Sequence, residues 1–202
     1  RAMRSLGEGE DLMKRGRDPM GEAAVTLFIE KGFYKTTTRE IAAKAGFSIG
    51  TLYEYIRSKE DVLYLVCDAI HQELEERLRQ AVEEKPTGRE SLKIAMHRFF
   101  RLMDEMQDRV LLIYQEAKSL PKETLSYVLN REVQMTEIFE TILKKGIEDG
   151  SIRLEPQDVK LIAQNIMVLG EMWAFRRWAL TKSFTLEEFI EKQTAFILSQ
   201  IS

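Results

Sequence analysis

Residues 36–63, TTTREIAAKAGFSIGTLYEYIRSKEDVL, hold three helix-start signals and one helix stop in so little chain that few arrangements are open to them. Thr37 followed three residues later by Glu40 is a capping box, in which each side chain satisfies a backbone N–H at the start of a helix. Ile41 and Ala42 come next on the face that must pack inward. Gly46 ends the helix, because glycine takes the left-handed closing conformation at no steric cost. Ser48 can cap a second short helix with Leu52 and Ile56 on one side, four residues apart. The opposite side carries Thr51, Tyr53 and Tyr55, hydroxyl groups suited to phosphates and base edges. Ser58 with Asp61 is a further capping box and opens a third helix. Helix, tight turn and helix in this order is the helix-turn-helix layout, which sets its second helix in the major groove of DNA.

Composition fits an all-α chain. Only 4 prolines and 11 glycines interrupt 202 residues, and 44% of the residues are hydrophobic. The net charge of -3 is unevenly placed: Lys14–Glu60 holds nine basic against six acidic residues, whereas from Asp61 onward the count is 19 against 24. A locally basic head is what binding to phosphate needs. The longest apolar-leaning stretches, such as Ile162–Leu169, are too short to span a membrane and include Gln164 and Asn165. Residues 1–17 lack an apolar signal core and are expected as a flexible arm without export. A single cysteine, Cys67, excludes an intrachain disulfide and suits the cytoplasm.

Turn signals divide the chain into about nine helices. Asp18–Pro19 opens the first, with Ala23, Ala24, Leu27 and Phe28 as its stripe and Gly32 as its end. Lys59 to about Glu84 is a long strut, apolar at Leu63, Val66, Cys67 and Ile70 and charged beyond. Thr87 with Glu90 caps the next helix, and one around Val110–Lys118 follows. Another long helix starts at Leu120–Pro121 and ends at Glu148–Gly150. Pro156 opens a helix reaching Leu180, and Thr185 with Glu188 caps the last. No window shows the alternation expected of strands.

The segment Ala23–Val66 resembles the DNA-binding domain of the TetR family of bacterial repressors. The likeness is carried by AAVTLFIEKGF, TTTREIAAKAGFSIGTLYEYI and SKEDVL, in that order and spacing, over about a fifth of the chain. It departs from the family pattern at Phe47, at Ile56, and at Glu54, which adds a negative charge to the reading helix. The resemblance implies a DNA-binding head over residues 18–64 and a helical ligand-binding and dimerisation body over 65–202. It also implies a homodimer on a palindromic operator, released by a small effector whose binding changes the head separation. Expected DNA contacts are Thr38 and Arg39, then Ser48, Ile49, Gly50 and Thr51 at the start of the recognition helix, then Tyr53, Tyr55 and Lys59. Ile49 could touch a thymine methyl, and Gly50 lets backbone come close.

The dimer interface is expected on the last two long helices, at Ile162, Ile166, Leu169, Gly170, Phe189 and Phe196. Gly170 inside a helix costs about 1 kcal/mol against Ala, which suggests close approach of another helix. The expected effector lining is Met96, Phe99, Phe100, Met103, Tyr114, Phe139, Met167 and Trp173, a set rich in Met and aromatic rings that would equally well fill a core. Arg176 and Arg177 among aromatics resemble the Trp/Arg segment of relatives that sense acyl-CoA thioesters, where arginines would meet CoA phosphates. Equally open is a structural role offsetting the helix dipole and pairing with acidic neighbours. A multidrug-type or aromatic effector, or a protein partner, stays open beside acyl-CoA.

Catalytic chemistry finds little support. The chain has two histidines, His71 and His97, and no phosphate loop or nucleophile elbow. His71 and Glu75, four apart, have metal-ligand spacing but read as a solvated face. Cys67 reads as an inert buried thiol. No cofactor or metal is expected, and a helical enzyme is the least favoured reading.

Overall fold

The computed structural model describes residues 19–82 and 85–202. The arm expected over 1–17, the Asp18 cap and the expected strut end at Glu84 lie outside these. All regular structure among the described residues is helical: α1 Pro19–Lys31, α2 Thr38–Ala45, α3 Ile49–Tyr55, α4 Lys59–Ala81, α5 Gly88–Glu105, α6 Gln107–Glu116, α7 Lys122–Glu148, α8 Val159–Phe175, α9 Arg177–Leu180 and α10 Leu186–Gln200. Short 3₁₀ turns at Ala117–Ser119 and Pro156–Asp158 precede α7 and α8.

The local start and stop chemistry holds. Capping boxes form at Thr37–Glu40, Thr87–Glu90 and Thr185–Glu188. Ser58 and Asp61 exchange the same two bonds, at 3.1 and 3.2 Å. Gly46 closes α2 at φ 78°, and its N–H reaches the carbonyls of Ala42 and Ala43. One helix expected to run to Leu180 is instead broken at Arg176, so the described residues hold ten helices where nine were expected. The break turns the chain so that Arg177 reaches Asp104 on α5.

The chain packs as two compact units. The first runs to Gln72 and adds Leu111–Arg131. In it α1 packs on α2 and α2 on α3 around Phe28, Phe33, Ile41, Leu52, Ile56 and Leu63, all buried. The Glu116 carboxylate accepts the Phe33 N–H at 3.2 Å, and Arg131 pairs with the buried Asp68 at 3.1 Å.

The second unit comprises Glu73–Val110 and Glu132–Ser202. Its centre is α5 packed on α8 and α10. Phe99 lies 5.4 Å from Phe139, Phe100 lies 5.9 Å from Phe189, and Trp173 lies 4.9 Å from Phe189 between ring centres. Two close helix approaches depend on glycine. A Cβ on Gly170 would stand 2.3 Å from the Phe99 ring, and one on Gly88 would stand 2.2 Å from the Gly146 nitrogen. The approach expected at Gly170 is therefore made by α5 of the same chain.

The charged exterior expected after Ile70 is a correction. Leu74 and Leu78 are buried, so α4 keeps an apolar face through its later turns. His71 is buried rather than solvated, with Nδ1 2.9 Å from the Cys67 carbonyl. Glu75 pairs with Arg79 at 2.9 Å instead.

Candidate functional site

The surface expected to meet DNA is built from α2, α3 and the turn between them. Ser48 caps α3, accepting the Thr51 N–H at 3.0 Å, and its hydroxyl lies 2.9 Å from that of Thr51. Leu52 and Ile56 anchor the inner side. Outward stand Phe47, Gly50, Tyr53 and Glu54, all exposed, with Ile49, Thr51 and Tyr55 half-buried beside them. Thr38 at the start of α2 and Tyr53 on α3 come together, their hydroxyls 3.1 Å apart. One of the two donates to the other, so the pair offers a phosphate one hydroxyl hydrogen, and the second only when their mutual bond opens. Arg39 is exposed on α2. The Glu40 carboxyl is held down to about 2 by Lys31 and by the Thr37 cap, so it stays ionised and able to accept the Thr37 N–H through ordinary pH.

Lys59 is placed differently from expectation. Its ammonium donates to the Phe33 carbonyl at 2.8 Å and lies 4.3 Å from the Phe33 ring centre. It locks the α1–α2 turn, so replacing it would disturb the head's packing as well as any phosphate contact.

In the second unit, Met96, Phe99, Phe100, Met103, Phe139, Met167 and Trp173 are all buried, but Tyr114 belongs to the first unit and is 66% exposed. Of the two arginines, Arg177 is committed: it bonds the Asp104 carboxylate, which also accepts the Trp173 indole N–H at 2.7 Å. Arg176 is exposed and stacks 5.5 Å from the Trp178 ring centre. A groove of about 200 Å³ lined by Arg77, Arg98, Arg101, Leu102 and Glu105 opens on α4 and α5; Arg77 pairs with Glu105 there, and Arg101 with Glu187 at 2.5 Å.

The expected interface residues divide. Ile166, Gly170 and Phe189 are used inside the unit, Ile162 and Leu169 are half-buried, and Phe196 is 55% exposed. The apolar side chains that α8 turns outward are Leu161 and Val168, one position off the expected stripe. The spacing of the stripe was legible, but its inner and outer edges are set by where α5 packs. A missed group is Glu171, half-buried on α8, whose carboxyl is pushed up to about 8 by burial and by the Glu132 carboxyl on α7. No metal-ligand cluster occurs among the described residues.

The head geometry agrees with a family comparison. The model of bacterial regulatory proteins of the tetR family matches residues 22–64, and that of the tetracyclin repressor-like C-terminal domain matches residues 85–178. The chain belongs to the TetR family. It is a DNA-binding transcriptional regulator. The HTH-type transcriptional regulator HbdR of Aromatoleum sp. (strain CIB) is 26% identical over 95% of this chain and 82% of its own length. The fatty acid metabolism regulator protein of Bacillus subtilis (strain 168) is 28% identical over 72% of this chain and 74% of its own. The crystal structure of FadR from Bacillus subtilis in complex with stearoyl-CoA superposes with a TM-score of 0.77 at 24% identity, covering 91% of this chain and 98% of that one, which supports the TetR fold. No helix among the described residues of this TetR-family chain is long and apolar enough to cross a membrane.

Proposed function

We propose that this regulator is a repressor that binds a palindromic operator as a homodimer and is released by an acyl-CoA thioester. The likeness to a fatty acid metabolism regulator over 72% of the chain carries the effector class. The stearoyl-CoA bound by the structurally similar FadR agrees with it, and the Met and aromatic interior of the second unit supplies apolar lining for an acyl tail. The Thr38–Tyr53 hydroxyl pair and the exposed face of α3 are the proposed DNA contacts. Leu161, Val168 and Phe196 are the proposed partner contacts, because exposed apolar side chains on the neighbouring helices α8 and α10 gain by leaving water. Two heads on one palindrome double the base contacts of a short recognition helix.

Thermal unfolding against saturated acyl-CoAs, matching free fatty acids and free CoA tests the effector. Acyl-CoA alone should raise the melting temperature and weaken DNA binding. Arg176→Ala should reduce the preference for acyl-CoA over free acid at unchanged stability, since Arg176 has no carboxylate partner among the described residues. Arg177→Ala should lower stability by about 1 kcal/mol through loss of its Asp104 pair, a figure kept small by partial exposure. No response to any acyl-CoA would exclude the effector reading and leave a TetR-family regulator with an aromatic effector or a protein partner.

A further inference from the structure

Glu54 is an unusual group to find on the face of a helix meant for a polyanion. It is exposed, and among the described residues it forms no hydrogen bond or ion pair. It lies four residues after Gly50, so the two share one stripe of α3, opposite the buried Leu52. Nothing inside the chain demands a glycine at residue 50. Its backbone is not left-handed, and a Cβ there would meet only the Ser48 hydroxyl at 3.7 Å. The stripe thus pairs a place where another molecule can come very close with a carboxylate one helical turn on.

We infer that Glu54 reads cytosine, accepting a hydrogen bond from its N4 amino group on the floor of the major groove. This rests on the DNA-binding reading of α3. A carboxylate near the groove rim meets phosphates and is repelled; on the floor the only donors are the amino groups of cytosine and adenine. The adenine amino group lies between two acceptors, its own N7 and the thymine O4. The cytosine amino group has an acceptor on one side only, the guanine O6, and a C–H on the other. A carboxylate is therefore repelled less at cytosine. Glu54 would also reject guanine and thymine at that position, since both present acceptors to it.

Selection from a random-sequence duplex library with the full chain, followed by binding to the selected duplexes, tests this. The wild type should select a motif with an invariant cytosine in each half, and a C-to-T change there should weaken binding about tenfold. Glu54→Ala should lose that preference to within about threefold while the other motif positions stay selected. Glu54→Gln should shift the position toward adenine, whose N6 and N7 match an amide. Circular dichroism confirms that both variants fold. An unchanged motif in either variant overturns the assignment, as does equally tightened binding of both variants to every duplex, which would mean that Glu54 merely repels phosphate. A wild type that selects no motif at all refutes sequence-specific DNA binding by α3, and this assignment with it.

Discussion

At the residue scale, single side chains decide between stability and function in ways that titration and stability measurements separate. Glu171 is the clearest titrating group. In the folded chain its carboxyl is pushed from 4.5 up to about 8 by burial and the neighbouring Glu132. Between those pH values the unfolded chain releases the proton and the folded chain keeps it. Stability therefore falls as pH rises through that window and levels off above it. Glu171→Gln, which mimics the protonated acid, should raise the melting temperature by several degrees at pH 8.5, or roughly 1–3 kcal/mol, and change it little at pH 5. Equal shifts at both values would place the effect in packing instead. Gly50 separates fold from recognition in the opposite direction. Gly50→Ala should stabilise the head by a few tenths to about 1 kcal/mol, because the site is open and helical. It should weaken DNA binding about tenfold if α3 enters the groove over Gly50; denaturant unfolding and a binding titration read the two effects. Cys67 enters neither account: it is buried, with its thiol pushed up to about 12 by burial and nearby carboxylates, and so is a poor nucleophile.

At the element scale, the side-chain-capped helices α2, α3, α5 and α10 begin where local chemistry says they should, whereas α8 stops at Phe175 against expectation, and the glycines between packed helices determine how closely they approach. Gly170 of α8 faces the Phe99 ring of α5, which is itself fully buried. Gly170→Ala should lower stability by about 1–3 kcal/mol in urea unfolding, because the ring has nowhere to retreat. A neutral substitution would mean that α8 can shift away from α5. The same element explains why the Asp104 carboxylate matters: it joins α5 to α8 through the Trp173 indole and to α9 through Arg177. The helical period alone marked residues 162–173 as amphipathic, and the capping boxes were readable because each acts within three residues. Which edge of the stripe turns inward was not readable, since α5 lies roughly seventy residues away along the chain.

At the scale of the whole molecule, charge and exposed apolar surface point to two different partners. The basic excess within Lys14–Glu60 comes from Lys14, Arg15 and Arg17, just before the head at 18–64, against an acidic excess beyond Glu60. DNA affinity should accordingly fall steeply with salt. Leu161, Val168 and Phe196 give the proposed dimer contacts, so Val168→Glu with Phe196→Glu should yield folded monomers by light scattering and lose operator binding. A variant that remains dimeric would move the interface elsewhere. The sequence by itself determined the all-helical class, the helix-turn-helix and the outward polar face of α3, because caps, glycine stops and four-residue spacing act through nearest neighbours. Tertiary structure alone decided how shared resources are spent. Lys59 goes to a carbonyl 26 residues away, Arg177 to an aspartate 73 residues away, and Ile166, Gly170 and Phe189 to the chain's own core. Each of these groups had several chemically acceptable partners, and only the packing of distant helices brings one of them within reach.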